Sequence, residues 1–174
     1  MTYIKLFYFN MMKKTKNQKL CFLLFLVPQL TLAELPKVPE SEKIQIFKAA
    51  KFKKTGVGWE SRCSLVHIPS YGDFNKDGRP DAIVFDGGSK CYSRLGSGFY
   101  LLTQQKNKQW TKIFNSEGTP EFLTTYGRHG WPDISINDSS TCFLVYKWNG
   151  HEYKKDRFEY KKKSCGSIIT KKSS

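Results

Sequence analysis

Four oxygen-bearing side chains alternate along a short polar segment with the spacing of a calcium loop. Asp73, Asn75 and Asp77 stand at every second position, a glycine follows, and Asp81 completes the set. The alternation aims these side chains to one side, and the glycine permits the sharp turn that such a loop makes around Ca²⁺. With the Arg79 main-chain carbonyl and water, they approach the roughly six to eight oxygen ligands that calcium prefers. We therefore predict a structural calcium site at Asp73, Asn75, Asp77, Arg79 and Asp81.

The residues after this loop distinguish it from an EF-hand. An EF-hand carries a bidentate glutamate at its twelfth position, where this chain has Val84. The apolar run Ala82–Phe85 predicts a strand in place of an exiting helix. Three aspartates within nine residues favour a cation between them, because like charges repel each other. The alternative is that the aspartates only cap a tight turn by accepting hydrogen bonds from main-chain amides.

The segment Tyr71–Phe85 resembles the calcium loop of FG-GAP (VCBS-type) repeats. These repeats occur in the propellers of integrin α-subunits and in many secreted bacterial proteins. The likeness rests on the pattern Asp73-x-Asn75-x-Asp77-Gly78-x-x-Asp81 and the strand after it, and it implies bound calcium. A wider pattern is similar to that of a group of exported bacterial proteins and implies no activity. It comprises Glu121–Leu123, Gly130–Asp133 and Tyr146–Gly150.

A second cluster has the residue types for acid–base chemistry. In the segment Arg128–Asp133, a base, a cation and a carboxylate fall within six residues. His129 and Asp133 are therefore candidates for a small hydrolase site, although a turn leading into a strand explains the segment equally well. The other histidines, His67 and His151, lack metal-ligand spacing, and no nucleophile elbow or phosphate loop occurs. We favour a binding protein over an enzyme.

The segment Met1–Ala33 has the organisation of a signal peptide. Basic residues precede the short apolar run Leu20–Val27, and the small residue Ala33 closes the segment. The run has eight residues, whereas a membrane-spanning helix needs about 20. We predict translation from Met11 or Met12, cleavage after Ala33, no transmembrane anchor, and a periplasmic or secreted mature protein.

Cysteine usage fits that compartment. Cys21 leaves with the signal peptide, and four cysteines remain: Cys63, Cys91, Cys142 and Cys165. An even number in an exported chain indicates two disulfides, and the sequence leaves three pairings open. We favour Cys63–Cys91 with Cys142–Cys165, because each bridge then closes one half of the domain. Zinc is the alternative, but no close pair of cysteine or histidine residues supports it.

The charge of the mature chain limits its partners. Cleavage after Ala33 removes five of the 29 lysines and arginines, so the mature chain keeps 24 basic and 15 acidic side chains, a net charge of +9. Such a surface attracts an acidic protein or an anionic envelope component, whereas nucleic acid does not fit the compartment. The expected binding patch is both aromatic and basic: Tyr153, Lys154, Lys155, Tyr160, Lys161 and Lys162. Lysines that protect an edge strand give the same pattern.

Mostly strands are expected to position these residues. Apolar residues at helical spacing behind the capping residue Ser41 predict one amphipathic helix, Glu42–Lys51. Apolar or aromatic runs between turn residues predict seven strands. These are Ser64–Ile68, Asp81–Phe85, Gly98–Gln104, Trp110–Phe114, Ile134–Ile136, Cys142–Trp148 and Tyr153–Tyr160. Asn149-Gly150 predicts a hairpin between the last two.

An internal repeat indicates how these strands are organised. Gly78–Val84 and Gly130–Ile136 share Gly-x-Pro-Asp and an apolar run at an offset of 52 residues, and each continues to a cysteine and a hairpin. The second copy lacks aspartates equivalent to Asp73 and Asp77, so a second metal site is not expected. We predict a mainly β (α+β) domain over residues 34–165, with one N-terminal amphipathic helix. Its antiparallel sheet is built from two degenerate strand–loop–hairpin units, and a basic tail follows over 166–174.

The combined features favour an exported, non-enzymatic binding protein. A periplasmic inhibitor or an immunity protein would have this size and compartment. The alternatives are a small envelope hydrolase that uses His129 and Asp133, and a purely structural envelope module.

Overall fold

A computed structural model describes residues 37–61, 63, 66–88, 91–92, 96–137, 142–160 and 163–165. All of them lie within one unit of the chain, Glu34–Ser174. The predicted signal peptide and basic tail lie outside the described residues. Within the described part, no helix has the length and apolar character needed to cross a membrane.

The described residues form one α-helix and eleven strands. The helix α1 is Glu40–Ala49. The strands are β1 Lys53–Lys54, β2 Trp59–Glu60, β3 Val66–Gly72, β4 Asp81–Gly87, β5 Ser97–Gln104, β6 Trp110–Glu117, β7 Thr119–Tyr126, β8 Pro132–Asn137, β9 Phe143–Trp148, β10 Tyr153–Tyr160 and β11 Lys163–Ser164. They make a small β1–β2 sheet, a four-stranded sheet β3–β6 and a five-stranded sheet β7–β11, all antiparallel. The predicted mainly β fold with one helix is confirmed.

The four-stranded sheet packs on both of its faces. Ala82 and Val84 of β4 belong to the same core as Phe47 of α1. Ile83, between them in sequence, packs with Ile134 of β8 in a second core. Because successive side chains of a strand point to opposite faces, the single strand β4 contributes to both cores. This explains why β4 is a continuous apolar run and not an alternating one.

The two larger sheets contain two copies of one four-stranded meander. Strands β3–β6 and β7–β10 each pair in chain order, and the second strand of each copy carries the repeated aspartate, Asp81 or Asp133. Gly118 alone connects the two meanders. Its φ is +95°, and a Cβ there would lie 2.8 Å from the Asn137 carbonyl oxygen. Only glycine fits this crossing between sheets.

Both disulfides have the favoured pairing. Cys63–Cys91 joins the segment before β3 to the loop after β4, with Cα atoms 5.8 Å apart. Cys142–Cys165 joins the residue before β9 to the residue after β11, with Cα atoms 5.9 Å apart. Each bridge therefore closes one meander, as predicted from the sequence.

The helix begins and ends two residues earlier than predicted. Pro39, and not Ser41, occupies the N-terminal capping position, and its carbonyl accepts hydrogen bonds from the amides of Glu42 and Lys43. The helix ends at Ala49 because Lys51 has a φ of +67°, outside the helical region. Proline suits this start because it lacks an amide hydrogen that would need a partner there.

Strand β7 was not predicted from the sequence. It forms an edge of the five-stranded sheet, and most of its residues are exposed or half-buried. An edge strand of this kind lacks the apolar run that predicts a buried strand, and Pro120 is tolerated there because only one side of the strand needs hydrogen-bond donors.

Candidate functional site

The predicted calcium loop connects β3 to β4 and folds onto its own main chain. Asp73 Oδ1 accepts a hydrogen bond from the Asp77 amide at 3.1 Å, and Asp73 Oδ2 accepts one from the Gly78 amide at 2.8 Å. Asn75 Oδ1 also accepts from the Asp77 amide, at 3.3 Å. The side-chain oxygens of Asp73 and Asn75 therefore converge on one point, as their alternation predicts.

The Arg79 side chain supplies the positive charge inside this loop. Its guanidinium forms an ion pair with Asp77 Oδ2, and its Nε donates to the Gln104 carbonyl at 2.9 Å. Asp77 Oδ1 accepts from the Arg79 amide at 3.0 Å. The sequence predicts only a carbonyl ligand from Arg79, so the tethered guanidinium is a finding of the structure. It partly neutralises the carboxylates that were expected to need a cation.

Asp81 is the fully buried member of the loop. Its Oδ2 accepts a hydrogen bond from the Phe74 amide at 2.8 Å, while its Oδ1 is buried without a hydrogen-bond partner among the described residues. Burial raises the pKa of this carboxyl to about 6, although the neighbouring Thr103 side chain and the Phe74 amide oppose the rise. The charges of Asp77 and Asp73 add to it. An orphaned buried oxygen is costly, and a bound cation would satisfy it.

The loop does not have a preformed metal site. Among the residues that the structure describes, no three His, Cys, Asp or Glu side chains are grouped closely enough to hold a metal ion. The carboxylates of Asp73 and Asp77 instead accept hydrogen bonds from loop amides, which is the turn-capping alternative. The calcium site therefore stays a prediction.

A short turn between β7 and β8 packs against this loop. Residues Arg128–Gly130 form one 3₁₀ turn. Gly130 has a φ of +75°, and a Cβ there would lie 2.4 Å from the Asn75 carbonyl oxygen. A Cβ on Gly127 would lie 2.5 Å from the Trp148 carbonyl oxygen. The turn therefore packs between the predicted calcium loop and the end of β9, and neither glycine has room for a side chain.

The structure does not join the two candidate catalytic residues. His129 is exposed on the turn, whereas Asp133 is fully buried in β8. Asp133 Oδ2 accepts hydrogen bonds from the Thr125 hydroxyl at 2.7 Å and from Arg157 Nη1 at 2.9 Å. Among the described residues, no hydrogen bond or ion pair links Asp133 to His129. Asp133 is therefore held in an ion pair of the sheet, and the geometry does not support a His129–Asp133 pair.

A groove of about 440 Å³, the basic groove, opens beside the turn. Its charged and aromatic lining comprises Tyr126, Arg128, Lys147, Trp148, Lys154, Lys155 and Asp156. Lys147 and Lys154 lie directly opposite each other in the β9–β10 ladder, and Lys154 Nζ also lies 2.9 Å from Glu152 Oε1. Like charges opposed in this way destabilise a strand pair. An anion in the groove would relieve that repulsion.

The predicted binding patch is only partly at the surface. Lys154 and Lys155 are exposed and line the basic groove, and Tyr160 is 40% exposed. Tyr153 is only 6% exposed, so its place in an exposed patch is corrected. Tyr153 is the first residue of β10, and its side chain points inward to the core between the sheets. Lys161 and Lys162 lie outside the described residues.

Two groove residues, Arg128 and Lys147, were missed from the sequence. Lys147 could have been predicted from the hairpin at Asn149-Gly150, because the register of that hairpin places Lys147 opposite Lys154. Arg128 gives no such signal, because only the packing of its turn against β9 brings it to the groove.

A smaller cavity of about 330 Å³, the polar cleft, lies between the calcium loop and the same turn. Its polar lining is Asn75, Asp77, Arg79, Thr103, Gln105 and His129, and Trp131, Trp148 and Ile113 supply apolar surface. Trp148 contributes to both the cleft and the basic groove. Its indole Nε1 is buried without a hydrogen-bond partner in the described part of the chain.

A third cavity of about 660 Å³ lies beside the Cys63–Cys91 disulfide. Its buried carboxylate, Asp86, accepts hydrogen bonds from the Ser61 and Tyr92 hydroxyls, both at 2.7 Å. Burial, with the hydrogen bonds to Tyr100 and Asp86, raises the pKa of Tyr92. Because its buried carboxylate already has partners, this cluster stabilises the fold around the disulfide.

Comparison with known protein families, curated proteins and solved structures gives no match. Function is therefore argued from the geometry of the calcium loop, the basic groove and the polar cleft. All three meet at the turn Arg128–Gly130.

Proposed function

We propose that the mature chain is an exported binding protein, periplasmic or secreted, that holds an anionic partner in the basic groove. The observation that carries this proposal is the convergence of cationic side chains from three elements on one concave surface: Arg128 from the turn, Lys147 from β9, and Lys154 and Lys155 from β10. Among the described residues of the lining, Asp156 is the only acidic one. The two disulfides support export, because such bonds persist in oxidising compartments.

The groove favours binding by charge complementarity more than by apolar burial. Its lysines are exposed, so each contributes modestly on its own and is weakened by salt. Several cations on one concavity act together on a partner that carries several negative charges, and they also speed its association. An inhibitor or immunity protein that meets an acidic surface and a protein that holds an anionic envelope component both fit this chemistry.

Removing two groove charges is expected to weaken anion binding about tenfold. Lys147→Gln with Lys155→Gln removes two of the four cations, each worth up to about 1 kcal/mol in an exposed pair. Isothermal titration with hexaglutamate and with hexagalacturonate at low salt measures the effect. The fold should remain intact, because removing Lys147 relieves its repulsion with Lys154.

A matched variant separates the groove from net charge. Lys48→Gln with Lys106→Gln removes the same charge from exposed positions outside the groove. This variant should bind both probes within about twofold of the wild type. Equal losses in the two variants, or no binding of either probe by the wild type, would contradict a binding role for the groove.

We also propose that the loop Asp73–Asp81 binds one calcium ion, which stabilises the fold. The Asp81 Oδ1, which is buried without a hydrogen-bond partner among the described residues, supports this, together with the alternation of Asp73, Asn75 and Asp77 in the loop sequence. For calcium to bind, the Arg79 guanidinium must leave Asp77. A site with a Kd of ~10⁻⁴ M in ~1 mM calcium stabilises the protein by about 1.4 kcal/mol.

Calcium titration is expected to release or absorb heat with the wild type and not with Asp77→Ala. Arg79→Met should bind calcium more tightly than the wild type, because the competing internal cation is gone. The melting temperature of the wild type should also rise on adding calcium after EDTA treatment. If calcium produces neither heat nor a thermal shift with the wild type and with Arg79→Met, the calcium proposal is wrong. The aspartates of the loop then only cap the turn.

A further inference from the structure

We infer that the anionic partner is an acidic glycan, whose sugar rings enter the polar cleft while its charged groups lie in the basic groove. This inference rests on the proposed function of the groove and extends the binding site to a second cavity.

The groove and the cleft are neighbouring cavities that share one lining residue. They lie on the two sides of the turn Arg128–Gly130, with Arg128 in the groove and His129 in the cleft, and Trp148 lines both. At about 440 Å³ and 330 Å³, each is within the range of small-ligand pockets, roughly 300–1,000 Å³. An elongated ligand fits this pair of cavities better than two separate small ones, because only one turn and one shared side chain lie between them.

The chemistry of the cleft differs from that of the groove. Without calcium in the loop, Asp77 and Arg79, the aspartate and the arginine of the described lining, neutralise each other as an ion pair. The rest of its polar lining consists of the Asn75 and Gln105 amides, the Thr103 hydroxyl and the His129 imidazole. Such a lining offers donors and acceptors without net attraction for an anion. It suits a ligand face that is rich in hydroxyl groups, with the charged groups of the ligand directed away from the cleft.

Sugar rings have this character. Each hydroxyl both donates and accepts, and the exposed Gln105 amide and His129 imidazole of the cleft can each contact sugar hydroxyls. The apolar C–H face of a ring can pack on the half-buried Ile113 and on the small part of Trp131 and Trp148 that reaches the cleft. An acidic peptide would use the groove alone, since its carboxylates gain nothing from the neutral cleft. The two adjacent chemistries therefore match one ligand class, a glycan with anionic substituents.

The wall between the cavities is preorganised. Gly127 packs against the main chain of Trp148, and Gly130 packs against the main chain of Asn75, at separations that exclude a side chain. The turn therefore keeps its position before a ligand arrives, which lowers the entropic cost of binding.

Three hexamers test the inference by isothermal titration in EDTA, which keeps calcium from competing for Asp77. Hexagalacturonate carries sugar rings and acidic groups, hexaglutamate carries acidic groups alone, and maltohexaose carries rings alone. We expect hexagalacturonate to bind at least about tenfold more tightly than either of the others. Gln105→Ala with His129→Gly should lower the affinity for hexagalacturonate about fivefold and leave that for hexaglutamate unchanged. Both positions are exposed, and glycine suits the His129 φ of +56°.

The outcomes separate this inference from the proposed function. Equal affinity for hexagalacturonate and hexaglutamate, unaffected by the cleft variant, overturns the glycan inference and leaves the anion groove in place. If maltohexaose binds as tightly as hexagalacturonate, the ligand does not need anionic groups, and the inference of an acidic glycan is overturned. No binding of any hexamer overturns both the inference and the proposed function. A melting temperature of the double variant equal to that of the wild type excludes a folding defect as the cause of any loss.

Discussion

The mature protein with all four disulfide cysteines replaced by alanine is expected to be largely unfolded at room temperature. The bridges close chain segments of 28 and 23 residues, which corresponds to about 3.6 and 3.4 kcal/mol of unfolded-state entropy. Their combined loss, about 7 kcal/mol, is comparable to the whole stability of a small domain, roughly 5–15 kcal/mol. Urea unfolding followed by circular dichroism measures the effect.

The single-bridge variants provide the control for this result. Cys63→Ala with Cys91→Ala, and Cys142→Ala with Cys165→Ala, should each remain folded and lose about 3–4 kcal/mol of unfolding free energy. The two losses should be similar, because the two closed segments differ by only five residues. A quadruple variant with the urea midpoint of the wild type would contradict the structural role of the bridges.

Arg157→Met is expected to cost about 3–4 kcal/mol of unfolding free energy. Asp133 is fully buried, and its Oδ2 is paired with Arg157 at 2.9 Å, so the variant leaves a buried charge without its partner. The same guanidinium also contacts Asp156, Glu159 and the Thr125 hydroxyl. Denaturant unfolding at neutral pH measures the loss, and the double variant Asp133→Asn/Arg157→Met should recover most of it.

A surface pair serves as the comparison for Arg157. Lys154→Met removes a cation that pairs with Glu152 in solvent, and its effect should stay within about 0.5 kcal/mol. If Arg157→Met also stays within that range, or if the double variant shows no recovery, Asp133 does not depend on the ion pair. Asp133 would then be free for another role, and the hydrolase alternative would regain support.

Strands buried on both sides are the elements that the sequence predicts best. The apolar run of Asp81–Phe85 is found within β4, which is mostly buried. The mostly exposed strand β10 coincides with Tyr153–Tyr160, next to the Asn149-Gly150 hairpin signal. The apolar pattern fails in the edge strand β7, where every residue is exposed or half-buried. The pairing of the cysteines was favoured because each bridge then closes one half of the domain, and both bridges have that pairing.

The site was harder to predict than the fold because it depends on packing between distant segments. The alternation of Asp73, Asn75 and Asp77 predicts a loop whose oxygens converge, and the loop has that form. Nothing in the sequence shows that the turn at His129 packs on this loop, since the contact is made by a glycine and a main-chain carbonyl. The error at Tyr153 has the same origin. A tyrosine next to lysines resembles a surface residue, and the sequence does not show to which face of the sheet its side chain points.

Maturation outside the cytoplasm is the claim on which the disulfides, the calcium loop and the envelope partner all depend. The most direct test is the intact mass of the protein purified from its native cells and treated with iodoacetamide without reduction. We predict the mass of the chain from Glu34 to Ser174 less four hydrogens, with no alkyl group added. A chain that retains the segment Met1–Ala33 and carries alkylated Cys63, Cys91, Cys142 and Cys165 would contradict export and, with it, the proposed function.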